Sequence, residues 1–316
     1  MIRQETKEKI AIGADIGGSH IHSAAVDLST HRIIPGTDSE QKIDNKASAG
    51  EILDGWSKAL AGTISQIDKS KLSGIGFAMP GPFDYPKGIA LFERVEKYES
   101  LYGINVGEQL RDRLQLGPEV RFRYINDATA FAIAEAWVGK AANFDKMIAL
   151  TLGTGFGSAF IQNGLPVLIG ETVPGMGCVW HIPFKEGIAN DYFSSPWFVR
   201  SYLDKTGKVI HGVKDIADGA GHDPVALALF EEYGSNMGHF LAPWIRKFDA
   251  KVIVIGGNIT GSFHLFGHHL LSALSHNDPE VEVYLSDLKE DAAVMGGARL
   301  LVEDYWLKVK DLLSLM

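Results

Sequence analysis

A short apolar strand that runs into a glycine turn and is answered by a second strand occurs twice in this chain, about 140 residues apart. The first copy is Lys9-Ile10-Ala11-Ile12-Gly13-Ala14-Asp15, a turn at Gly17-Gly18, and then Ile21–Leu28. The second is Met147–Leu152, Gly153–Gly157 and Ser158–Gln162. Two strands joined by a tight turn, with no helix between them, read as a hairpin. Two copies at this distance are not the array of a solenoid. They point instead to a pseudo-duplicated α/β fold that holds a ligand between two similar lobes. No low-complexity linker separates the halves, so movement between them is expected to be hinge-like.

The segments around these hairpins complete the pattern. Apolar residues at helical spacing (Ile52, Leu53, Trp56, Leu60, Ile64) predict a helix from about Ala49 to Ile67, and a third strand is expected near Arg32–Pro35. The apolar run Leu72–Met79 stops at Pro80-Gly81-Pro82. A helix at Val106–Leu114, a strand at Val120–Ile125 and a helix at Ala128–Gly139 lead into the second half. There, Lys251–Ile255 ends in a third glycine pair, Gly256-Gly257, followed by a helix and the strand Val281–Leu285. The stretch Asp291–Leu315 reads as helical and is expected to cross back onto the first lobe.

Charge and cysteine content exclude several functions. A net charge of -9 in 316 residues leaves no basic face for nucleic acid or an anionic membrane. The one cysteine, Cys178, allows neither an intramolecular disulfide nor a cysteine-rich zinc cluster, and fits a reducing compartment. The start MIRQETKEKI has no apolar core of a secretory signal, and no run of eighteen apolar residues exists, so a cytoplasmic protein is expected.

Each glycine turn has two readings. At Asp15-Ile16-Gly17-Gly18-Ser19, glycines at positive φ can bring amides up to an anion, with Ser19 adding a donor and Asp15 holding a hydrated magnesium ion. The plain alternative is a Gly-Gly hairpin with a solvated aspartate. Leu152-Gly153-Thr154-Gly155-Phe156-Gly157 looks like a dinucleotide fingerprint, but a strand follows it where a helix is required, and it has no P-loop lysine. Gly256-Gly257-Asn258 either lets a flat nucleoside lie against backbone or is a strand-to-helix turn that needs small residues.

Together these segments resemble the ROK (repressor/kinase) family of sugar kinases within the actin-like ATPase superfamily. The resemblance rests on Asp15–Ser19, Gly76–Gly81, Asn126–Ala128, Leu152–Gly157 and Ile255–Gly257, in the family's order through most of the chain. It implies an α/β, two-lobed, ribonuclease H-like fold with the active site in the interdomain cleft. Residues 1–126 and a C-terminal helix of about 298–316 would form the small lobe, and 127–297 the large one. It implies a kinase that moves the γ-phosphate of MgATP to a hydroxyl of a hexose or amino sugar. Gly17, Gly18, Ser19, Gly153, Thr154, Gly155, Gly157, Gly256, Gly257 and Asn258 would bind ATP, and Asp15 would hold Mg2+ through water. Asp127 would be the general base, although an acid at such a strand–helix junction is also the usual helix cap. Asn126 would bind a neighbouring sugar hydroxyl, and Gly81 would lie at the floor of the sugar site. A homodimer is common in the family.

The match departs from the family on the sugar side. After Gly81 the family has a sugar-binding asparagine, whereas this chain reads Glu93-Arg94-Val95-Glu96-Lys97-Tyr98. The family's cysteine-rich zinc motif is replaced by Gly170-Glu171 through Cys178-Val179-Trp180-His181, so no structural zinc is expected. Glu171 and His181 are the nearest replacements for the family's sugar-binding glutamate and histidine. His181 could equally be a histidine packed beside Trp180, and Asn190-Asp191-Tyr192 falls where a further glutamate is usual. His20, His22, His268 and His269 show no metal-ligand spacing, and His20 stands where the family often has lysine. A second reading is a non-catalytic sugar sensor. Only Met1–Glu8 precedes the first strand, too little for a DNA-binding domain.

Overall fold

The computed structural model describes residues 9–277 and 281–316. The segment Met1–Glu8, which carries the expectations of no leader and no DNA-binding domain, lies outside them. The chain divides into two compact units, one reaching to Ala134 and taking in Glu290–Met316, the other Glu135–Lys289.

The first unit is built on a six-stranded sheet. Its strands are β1 (Ile10–Ile16), β2 (His20–Asp27), β3 (Arg32–Ile33), β4 (Ser39–Lys42), β5 (Leu72–Met79) and, beyond the small hairpin β6 (Phe83–Asp84) with β7 (Ile89–Ala90), β8 (Arg121–Asn126). The order is β3-β2-β1-β5-β8, with β4 also paired to β2. β1 and β2 form the expected antiparallel hairpin, while β1, β5 and β8 are parallel. Register puts Asp15 opposite Ala78, and Met79 opposite Asn126, so the carboxyl ends of these three strands finish at one edge. In open α/β sheets that edge is where ligands bind.

Parallel strands need cover on both faces. Part of it comes from the helix Asp291–Arg299, packed on β1 and β5. A side chain on Gly13 would run into the Val294 carbonyl, one on Gly76 into the Gly297 carbonyl, and one on Gly296 into the Ala130 carbonyl. The helix Ala49–Ser65 starts with a Ser48/Glu51 capping box and buries the five apolar residues that predicted it. The C-terminal turns are fastened by Arg123, whose guanidinium pairs with Glu303 at 2.9 Å and lies 4.2 Å over the Trp306 ring.

The second unit repeats the plan with β9 (Lys146–Leu152), β10 (Phe156–Gln162), β11 (Leu165–Pro166), the separate pair β12 (Pro183–Phe184) and β13 (Gly187–Ile188), then β14 (Val252–Gly256) and β15 (Glu282–Leu285). Its sheet order is β11-β10-β9-β14-β15, with β9 and β10 an antiparallel hairpin and β14 parallel to both neighbours. A core of aromatic and aliphatic residues lies between this sheet and the helices Ser195–Thr206, Pro224–Phe248 and Phe263–Asn277. The last two approach closely because Gly234 meets the Phe266 carbonyl and Gly238 the Ala273 methyl.

The sequence divides the chain at 126/127 and near 297/298. In the structure the first turns of helix Asp127–Trp137 and the whole of Asp291–Arg299 group with the first unit, since the glycine contacts of the latter are to β1, β5 and Ala130. Among the described residues no helix is long and apolar enough to cross a membrane.

Candidate active site

The first glycine turn joins β1 to β2, closed by Gly17 N donating to His20 O at 2.9 Å. Its backbone polarity is sorted. The carbonyl of Gly17 accepts from the Tyr98 hydroxyl at 2.6 Å, that of Gly18 from the Asn45 amide, and that of Ser19 from Ile43 N at 2.8 Å. The amides of Gly18 and Ser19 have no acceptor among the described residues. A turn whose carbonyls face protein and whose N–H groups are left over is suited to an anion. Nothing lies within 4 Å of where a Gly18 side chain would start, whereas on Gly17 it would meet the His20 ring at 2.8 Å. Neither glycine has the positive φ expected from sequence. What the turn uses is the missing Cβ.

Asp15 closes β1 beside this turn. Crowding by protein, with the carboxylates of Asp127 and Glu290 nearby, pushes its carboxyl up to about 7. Asp15, with these two carboxylates near it, is a hard oxygen donor suited to a magnesium ion held through its water shell. The residues present therefore fit the metal that the resemblance implies.

Asn126 and Asp127 stand where β8 turns into the helix Asp127–Trp137. The cap is Asn126, not the acid. Its Oδ1 accepts from Thr129 N at 3.1 Å and Thr129 Oγ1 at 3.3 Å. Its Nδ2 donates to Asp127 Oδ1 at 3.0 Å and to the Tyr85 hydroxyl at 3.5 Å. Asp127 Oδ1 also accepts from Ala128 N at 2.8 Å. One carboxylate oxygen is thus locked, while Oδ2 takes no hydrogen bond from another described residue. Burial raises the Asp127 carboxyl above the ordinary range, opposed by the Ala128 amide, the Lys97 charge and Asn126. Gly81 lies next to this group, its missing side chain 3.6 Å from the Tyr85 hydroxyl, which itself donates to Met79 O at 3.1 Å.

In the second unit the turn Gly153–Gly155 repeats the sorted backbone. Gly153 O accepts from Ser195 N at 2.8 Å and Ser195 Oγ at 3.0 Å, and Phe156 N donates to Asn190 Oδ1 at 3.0 Å. The amides of exposed Thr154 and Gly155 have no acceptor among the described residues. Gly157 continues into β10 opposite Thr151. Gly256 ends β14, and Gly257, at φ 89°, lies so close to Leu152 that a side chain would meet its amide nitrogen at 2.7 Å. The second and third turns therefore touch, with Asn258 exposed at the start of a 3₁₀ turn. Here the small-residue reading of Gly257 holds whatever it binds.

The sugar-side candidates are less assembled. Glu171 is exposed and carries no hydrogen bond or ion pair among the described residues. The His181 ring packs edge-on against Trp180, and its Nδ1 lies 3.8 Å from Cys178 Sγ, where burial lowers its basicity and raises the thiol to about 11. Asn190 is committed to the glycine turn, and Asp191 caps Ile188 N at 3.0 Å. Sequence spacing missed two things. Tyr98 and Asn45 strap the first turn. His22, opposite Asp15, joins Asp38 and Asp291 in a group whose ligand atoms lie within 4.8 Å. Both depend on residues far apart in sequence, and only Tyr98, an aromatic in a charged loop, left any signal.

The chain is 26% identical over 277 residues to a glucokinase of Thermotoga maritima, covering 78% of this chain and 84% of that protein. It is 28% identical over 287 residues to an N-acetyl-D-glucosamine kinase of Haemophilus influenzae, covering 80% and 86%. Its fold matches that of a ROK family glucokinase from Streptomyces griseus, solved with glucose and AMPPNP, at a TM-score of 0.72 and 24% identity, over 92% of this chain and 98% of that one. This is the two-lobed actin-like fold. The ROK family model spans residues 11–304, and the chain belongs to the ROK family.

Proposed function

We propose that the protein is a sugar kinase that transfers the γ-phosphate of MgATP to a hydroxyl of a hexose or amino sugar, with Asp127 as general base. The observation that carries this is the Asp127 carboxylate, with Oδ1 held by Ala128 and Asn126 and Oδ2 left free. A base fixed on one oxygen and open on the other takes a proton from a hydroxyl as that oxygen attacks phosphorus. Its raised pKa brings it nearer the operating pH, which strengthens the proton pull. The free amides of Gly18 and Ser19 with the Ser19 hydroxyl, and those of Thr154 and Gly155, are assigned to ATP phosphates. Gly157 is assigned with them to ATP, and Gly256, Gly257 and Asn258 are assigned to the nucleoside. Asp15 would hold Mg2+ through water, and the ion supplies charge neutralisation on the phosphates when bound. Gly81, Asn126, Glu171 and His181 are assigned to the sugar.

Both Nδ2 hydrogens of Asn126 are already used, so a sugar hydroxyl would displace its long bond to Tyr85. The test is ADP release from MgATP against a panel of hexoses and N-acetylhexosamines, read by a coupled assay. Turnover on one sugar supports the reading. ATP binding without turnover on any acceptor would refute it.

A further inference from the structure

Between β7 and the helix Val106–Leu114 the chain passes through Glu93-Arg94-Val95-Glu96-Lys97-Tyr98. Arg94, Glu96 and Tyr98 stand at φ of 58°, 60° and 58°, while Val95 and Lys97 between them do not share that hand. Alternating φ in this way turns successive N–H groups toward one side, the geometry of anion-binding backbone concavities. Three bulky residues in the left-handed region within five positions are strained, and such strain persists where surrounding structure imposes it. Glu96 N donates to Glu99 Oε1 at 3.1 Å, but the amides of Arg94, Val95 and Lys97 have no acceptor among the described residues.

The loop is tied to the candidate active site at its end. Tyr98 N donates to Asn45 O at 2.8 Å, and the Tyr98 hydroxyl to Gly17 O at 2.6 Å. Its charges are sorted as well. Glu93, Arg94 and Glu96 are exposed, whereas Lys97 is half-buried. Lys97 has no ion pair among the described residues, although its charge acts on Asp127. A lysine with no carboxylate partner, beside amides that have no acceptor, leaves its charge available to an anionic ligand. A neutral acceptor sugar would leave this one with only the distant base for company.

We propose that Lys97 and the free amides of this loop bind a negatively charged substituent of the acceptor, a carboxylate or a phosphate, so that the preferred substrate is an acidic sugar. This rests on the kinase reading and narrows it.

The experiment uses pairs of probes that differ in charge, glucose with glucuronate and galactose with galacturonate. Each is measured for kcat/KM with MgATP and, without nucleotide, for binding by calorimetry. A charge-assisted contact of the usual strength predicts a preference of about tenfold or more for the acid, mainly in KM. Lys97→Met should remove that preference and Lys97→Arg should keep part of it, with melting temperatures confirming that both variants fold. Inorganic phosphate should compete with the acid in wild type and not in Lys97→Met. Equal or better binding of the neutral sugar, no binding of either acid, or an unchanged preference in Lys97→Met would overturn the proposal. So would a Lys97→Met defect confined to ATP, since the anion would then be the nucleotide's. Turnover of the neutral sugars alone would leave the kinase reading standing without this one. Lys97-dependent binding of an acid without turnover would do the reverse.

Discussion

Replacing Gly13 by alanine tests how the candidate active site is held. The new Cβ would lie 2.6 Å from the carbonyl carbon and 2.9 Å from the Cα of Val294, where ordinary contact begins near 3.4 Å. Both sides are backbone, so no side chain can swing away. The helix Asp291–Arg299 would have to retreat by most of an ångström, and it cannot do so locally. Gly297 and Gly296 on the same helix are pressed equally closely to Gly76 and Ala130. Overpacking costs about 1–3 kcal/mol where some relaxation is possible, and this site belongs at the upper end, about 3 kcal/mol. For a unit of this size that lowers the melting temperature by roughly 6–12 °C. The same shift would move Glu290 away from Asp15, so activity should fall further than stability alone explains. Gly50, in the first turn of helix Ala49–Ser65 with nothing within 4 Å, is the control. Gly50→Ala should be neutral or stabilising by about 0.5–1 kcal/mol. Thermal and urea unfolding measure both. A Gly13→Ala protein within 1 kcal/mol of wild type would refute the close-packing argument.

Three more outcomes follow from named contacts. Asp15 carries a folded pKa of about 7 against an unfolded value of 3.8, so its contribution to stability is full below pH 3.8 and is lost as pH rises through 7. Asp15→Asn should therefore match wild type in acid and exceed it at pH 8 by on the order of 2 kcal/mol, while losing activity; equal stability at both pH values would contradict this. Glu303→Gln removes the counter-charge of the Arg123 guanidinium, whose side chain is 6% exposed and which keeps its bond to the Leu300 carbonyl, and should cost about 1–2 kcal/mol in urea unfolding, moderated because Glu303 is itself half exposed. Asn126→Ala removes the cap on Thr129 and one of the two hydrogen bonds that hold Asp127 Oδ1, for a loss of about 1 kcal/mol in stability and a fall in kcat larger than any rise in KM.

Much of this was legible in the residues. Gly-rich turns bounded by apolar runs located both hairpins, and the five apolar positions from Ile52 to Ile64 located their helix to within two residues at its C-terminal end. The motif order carried Asp15 and Asp127. What escaped was what depends on contacts between distant segments. Gly13, Gly296 and Gly297 carried no reading of their own and Gly76 only opened a motif, and the packed helix alone shows why a side chain fails at all four. Asn126 and Asp127 are both good caps by type, and the choice between them is made by which oxygen reaches Thr129. The glycines of the first turn were expected at positive φ and are not, because an open approach to backbone needs only a missing Cβ. The sugar side stayed obscure because Glu171 and His181 lie in short turns without periodicity, where spacing says nothing about direction.

The most direct test of the account is Asp127→Asn in the ADP-release assay, on whichever acceptor wild type turns over. The asparagine keeps the contacts made by Oδ1 and presents no base at the second position. The account predicts an unchanged melting temperature within a degree or two, near-normal ATP binding, and a fall in kcat of about 10²–10⁴-fold. A variant that folds, binds ATP and keeps turnover within tenfold of wild type would contradict the assignment of Asp127 as the base.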